Sequence, residues 1–185
     1  MNQLRTDPVL QELIEEHGTL ELEPAVDPFE RLVVSIVNQQ ISTASASAIR
    51  ERFFNRFDIA PEPLLNANED DLRDVGLSQQ KIEYIQNTAK TFQKENLTKA
   101  TFSDMSDQAV IDELTTIRGI GVWTAKMFLM FSLGRKDVFP TEDLAVRKGM
   151  QELYGDLTES EMVEIAEQWR PNRSIAALYI WRAYE

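Results

Sequence analysis

The stretch FPTEDLAV (residues 139–146) carries the acid best placed to do chemistry. Pro140 stops whatever precedes it, Thr141 can cap a helix, and Glu142 and Asp143 then fall in the first turn of that helix. A carboxylate there lies in the positive field of the helix N-terminus, which favours negative charge. Such an anion can act as a general base or steady a cation that forms during a reaction; the same residue type at a helix start also serves as a plain cap. In RGIGVWT (118–124), Gly119 and Gly121 allow positive φ and close approach of another backbone. The next helix then opens with N–H groups that have no intrahelical partner, and these suit a phosphate oxygen without any cationic side chain. An ordinary tight turn between packed helices would show the same spacing. Three tryptophans, Trp123, Trp169 and Trp181, could offer electron-rich faces to a cationic ring, or could all be core or hinge packing.

These residues must be held by helices. Apolar positions recur at helical spacing along almost the whole chain, and no alternating run long enough for a strand occurs, so the sequence predicts an all-α fold. Phe29, Leu32, Val33, Ile36 and Val37 share one face, with Asp27 and Pro28 as cap and first-turn residue. Asn68 opens a short helix that stops at Gly76, Ser78 opens one bearing Ile82, Ile85, Ala89 and Phe92, and Ser106 opens one bearing Val110, Leu114 and Ile117. Residues 122–133 are apolar on most sides, which marks a buried helix. Thr158 and Glu161 form a capping-box pair, and Pro171 is placed to begin the last helix. The clearest breaks are APEPLL (60–65) and KDVFP (136–140).

The absence of cysteine excludes disulfides, thiolate zinc sites and cysteine-ligated clusters, and the lone His17 leaves little for an imidazole metal site. No apolar run is long enough to cross a bilayer, and MNQLRTDPVL lacks the basic-then-apolar order of a signal peptide. A cytoplasmic location, or a nuclear one in a eukaryote, is the expectation. The net charge of −12 argues at first against a polyanionic partner. Its distribution softens that objection, because residues 1–25, 58–74 and 151–168 each carry six acidic side chains, whereas 118–148 carry six basic against three acidic.

The stretch LTTIRGIGVWTAKMFLMFSLGRKDVFPTEDLAV (114–146) resembles the helix–hairpin–helix and Gly/Pro-Asp-loop signature of the base-excision DNA glycosylases, most closely the 3-methyladenine DNA glycosylase II, or alkylbase, branch. SIVNQQIS (35–42), VGLSQQKIEYI (75–85) and WRPNRSIAALYIW (169–181) are similar to further elements of that family, so the resemblance covers most of the chain. It implies a two-lobed fold, with residues 26–136 in one lobe, 1–25 plus 137–185 in the other, and a base pocket in the cleft between them.

The resemblance makes Asp143 the catalytic aspartate and Glu142 a solvated neighbour, with Trp123, Trp181 and Leu144 around the base. Leu144 departs from an aromatic residue common at that position, which implies a more open or differently selective pocket. Gln40, with Gln39 beside it, becomes the wedge that fills the gap left by an extruded base, although a polar turn would look alike. Gly119, Ile120, Gly121, Trp123 and Thr124 become the contacts to the DNA backbone. Bifunctional relatives place a nucleophilic lysine where Trp123 stands, so hydrolysis without a lyase step is expected; Lys126 reads as solvated or phosphate-facing. The implied partner is double-stranded DNA with a damaged base, bound by a monomer. No cofactor is expected beyond Na⁺ or K⁺ at the backbone carbonyls of Ile117 and Gly119. Release of deaminated or oxidised bases, or DNA binding without catalysis, stand as alternatives.

Overall fold

The computed structural model describes residues 2–184. Twelve α-helices occur among them: α1 (Pro8–His17), α2 (Pro28–Asn38), α3 (Thr43–Arg56), α4 (Pro61–Asn66), α5 (Glu69–Asp74), α6 (Gln79–Glu95), α7 (Lys99–Ser103), α8 (Asp107–Thr115), α9 (Val122–Phe131), α10 (Leu144–Tyr154), α11 (Glu159–Glu167) and α12 (Arg173–Tyr184). No strand occurs among the described residues. Polar side chains start the helices where the sequence calls for them. Asp27 accepts from Glu30 N–H, Asn68 from Asp70 N–H, Ser78 from Lys81 N–H and Ser106 from Ala109 N–H, and Thr158 with Glu161 closes the reciprocal box.

Three starts differ from the sequence reading. APEPLL is a helix rather than a break, because Pro61 stands at N1, where its missing N–H costs nothing. The last helix begins at Arg173, two residues after Pro171: its first intrahelical bond runs from Ala176 N–H to Asn172 C=O. Thr141 is buried in a turn closed by Asp143 N–H on Pro140 C=O, so Asp143, and not Thr141, caps α10.

The described residues form two compact units: Ala25–Phe128, and those up to Pro24 together with those from Leu129 onward. In the first, α6 packs on α2, α4 and α5, with Phe29 against Phe92 and Phe102 edge-on to Phe128. In the second, α12 packs on α1 and α10. Gly149 permits that approach, since a Cβ there would lie 2.7 Å from Ile180 Cγ2 and 3.1 Å from Ile180 O. The 135–138 loop is tied to the start of α12 by the buried Ser174 hydroxyl, which accepts from Val138 N–H and donates to Arg135 C=O. Arg173 reinforces it with a two-pronged pairing to Asp137, which Arg170 also reaches.

The second unit hangs on Asp7. Its Oδ1 caps α1 through Val9 and Leu10 N–H, while Oδ2 accepts from the Trp169 indole at 2.9 Å and the Tyr154 hydroxyl at 3.0 Å. Trp169 is fully buried, and burial together with the Asp7 charge pushes the Tyr154 phenol pKa upward. Asp7→Asn turns an acceptor into a donor facing the Trp169 N–H. We expect a loss of about 1–3 kcal/mol of stability, read from the midpoint of denaturant unfolding.

Candidate active site

Asp143 sits immediately before α10 with extended backbone (φ −76°, ψ 122°), the conformation of a cap. Two N–H donors converge on one of its oxygens: the backbone of Val146 at 3.0 Å and the Trp181 indole at 2.9 Å, both on Oδ1. The carboxylate is therefore oriented by helix geometry and by a ring from α12, and the Gly149–Ile180 contact sets how closely the two helices approach. Trp181 is half-buried, and its ring lies 6.0 Å from that of Phe131 at an interplanar angle of 32°. Leu144, the next residue after Asp143, is 57% exposed. Arg147 donates to Thr141 C=O at 2.9 Å and so braces the turn that delivers the acid. Glu142 is half-buried rather than solvated, with Oε2 out of contact with water.

The hairpin lies in the other unit. Gly119 has φ +105°, and a Cβ there would fall 2.1 Å from Tyr84 Cγ, so the turn lies directly on the Tyr84 ring. Gly121 does not use the positive φ that the sequence allows both glycines; a Cβ there would meet nothing within 4 Å. The two glycines answer different needs, one a fold and the other an open approach. The first bond of α9 runs from Ala125 N–H to Gly121 C=O, so Val122, Trp123 and Thr124 form the first turn of the helix. Val122 is 42% exposed, Trp123 half-buried and the Thr124 side chain buried. Lys126, three residues beyond Trp123, is half-buried. Ile117 C=O accepts from Ile120 N–H at 3.0 Å and Gly119 C=O from Gln39 Nε2 at 3.2 Å, so both carbonyls considered for a cation carry a hydrogen bond.

The glutamine pair divides. Gln40 is exposed and left-handed, with φ +57°. Gln39 is half-buried and points its amide at Gly119 and Thr124 of the hairpin. Sequence reasoning did not foresee the Gln39 contacts, the Tyr84 seat beneath Gly119, or the indole hydrogen bond to Asp143. Aromatic residues at helical spacing reveal apolar faces, not where their one polar atom points.

An all-α chain with a Gly-x-Gly hairpin opening a buried helix, and a later helix capped by an indole-bound aspartate, has the architecture of the helix–hairpin–helix glycosylases. The chain belongs to the HhH-GPD superfamily of base excision DNA repair proteins, whose family model matches residues 33–171. It is 33% identical to DNA-3-methyladenine glycosylase 1 of Schizosaccharomyces pombe, over 84% of this chain and 72% of that one. It is 29% identical to YfjP of Bacillus subtilis, over 95% of this chain and 66% of that protein, so it spans just under two thirds of that relative's length. A solved structure of the Schizosaccharomyces pombe 3-methyladenine DNA glycosylase Mag1 in complex with abasic DNA superposes with a TM-score of 0.88, at 29% identity, over 97% of this chain and 93% of that one.

Proposed function

We propose that this protein is a monofunctional DNA glycosylase that hydrolyses the bond between deoxyribose and an alkylated purine, such as 3-methyladenine or 7-methylguanine, in duplex DNA. The observation that carries this reading is the Asp143 carboxylate, held through one oxygen by Val146 N–H and the Trp181 indole, in a chain whose relatives bear the names of 3-methyladenine glycosylases.

A purine alkylated on a ring nitrogen already carries positive charge, so it can leave with the electrons of the C1′–N bond and needs little protonation. The sugar left behind is cationic at C1′. Asp143 faces that cation as an anion, orients the attacking water and takes its proton as the C1′–O bond forms. Trp181 and Leu144, beside Asp143, would wall the base, the aromatic face favouring a cationic over a neutral ring. The amides at the start of α9 would hold a backbone phosphate, which lets a chain of net charge −12 grip DNA with few cationic side chains. Trp123 occupies the place of a lyase lysine, so base release stops at an abasic site. The chemistry uses no cofactor. Na⁺ or K⁺ at the Ile117 and Gly119 carbonyls would be structural and would share those oxygens with their present donors, each carbonyl having two lone pairs.

Duplexes bearing 7-methylguanine, hypoxanthine or 8-oxoguanine, each assayed with and without alkali, test the reading. Fastest release from the methylated duplex, with strand breaks only after alkali, is expected. Release confined to hypoxanthine or 8-oxoguanine, or nicking without alkali, would contradict it.

A further inference from the structure

The turn after α2 is tied down at both ends of Gln39. On one side, Lys81 Nζ of α6 donates to Val37 C=O at 2.7 Å. On the other, the single amide of Gln39 makes two bonds, to Gly119 C=O at 3.2 Å and to Thr124 Oγ1 at 3.1 Å. One acceptor is the first residue of the Gly-x-Gly turn and the other lies three residues past its last, and Thr124 is only 1% exposed. Gly119 in turn rests on Tyr84, which belongs to the same helix as Lys81. Hydrogen bonds thus hold Val37 and Gln39, whereas Gln40 stands exposed in a left-handed conformation uncommon for a glutamine.

We infer that Gln39 is a positioning residue that locks the Gln40 turn to the phosphate-holding hairpin, so that backbone anchoring and base extrusion act as one rigid part. This rests on the glycosylase reading above. A residue that pushes into a base stack must be braced against the point where the protein grips the strand; otherwise the turn yields before the duplex does. Gln39 supplies that brace with both hydrogens of one amide. It touches no reacting atom, and its effect is confined to the step in which the base leaves the stack.

The test compares single-turnover release of 7-methylguanine from two duplexes, one with cytosine opposite the lesion and one with an abasic-site analogue opposite it, where extrusion costs less. Gln39→Met keeps the length of the side chain and removes both donors. It should lower the rate about tenfold on the paired duplex and less than about twofold on the orphaned one, as expected when one or two net hydrogen bonds act on extrusion alone. Gln40→Ala should show the same pattern, and the double variant should lose no more than the worse single variant. Thermal unfolding of each variant reports folding. If Gln39→Met does not fold, Thr124→Val, which removes one acceptor, should give a loss of about threefold on the paired duplex only. Equal losses on both duplexes, additive losses, or no loss would overturn the inference. Wild-type protein that releases the lesion from neither duplex would overturn the proposed function, and this inference with it.

Discussion

Asp143→Asn should leave a folded protein that releases bases far more slowly. The asparagine retains an oxygen to accept the Val146 and Trp181 N–H groups, so the cap and the α10–α12 contact survive. On the proposed mechanism, the substitution removes the charge opposite the sugar cation and the group that would take the proton from water. Loss of a positioned general base of this kind lowers rates by about two to four powers of ten. Stability should change by no more than about 1 kcal/mol, the worth of an anion at a helix start. Single-turnover rates and thermal unfolding of the same preparation check both halves. A residue that served only as a helix cap would leave the rate unchanged.

Gly119→Ala should cost more stability than any other single-methyl change near the hairpin. The new Cβ would fall 2.1 Å from Tyr84 Cγ, 2.5 Å from Cδ1 and 2.6 Å from Cβ, and the root of a side chain cannot swing away as a flexible tip can. The backbone at φ +105° is also closed to L residues. Together, overpacking and strain amount to about 2–6 kcal/mol, and the turn that presents the α9 amides is lost with them. Gly121→Ala separates fold from function. Its Cβ enters open space, so stability should fall by about 1 kcal/mol or less, yet that space is where a phosphate would approach. Binding to every duplex should weaken alike, since phosphate contacts carry no sequence information. Unfolding midpoints and duplex titrations of the two variants distinguish the roles.

Helix starts were legible wherever a single side chain decides them: Asp27, Asn68, Ser78, Ser106 and Thr158 each find the N–H that their type and place call for. They failed where a neighbour competes. Thr141 and Asp143 can both cap a helix, and the turn that buries Thr141 leaves the task to Asp143. Pro61 could equally end one element or begin another, and Leu64, wholly buried beneath it, turns the choice toward a helix. In the candidate site, the acid and the hairpin could be read locally, because each depends on residues close in sequence. The indole of Trp181 lies 38 residues from Asp143 and the amide of Gln39 lies 80 from Gly119, and no local pattern encodes such pairings. The two glycines show the same limit. Spacing marks the turn, but only the position of Tyr84 tells which glycine the fold requires.

The most direct test of the central claim is to incubate wild-type protein with N-methylated duplex DNA and quantify the free base, the abasic sites and the strand breaks from one reaction. Free methylated purine in equal number to abasic sites, with both strands intact, is the expected result. No free base, or unmodified purine released as readily as methylated, would contradict it.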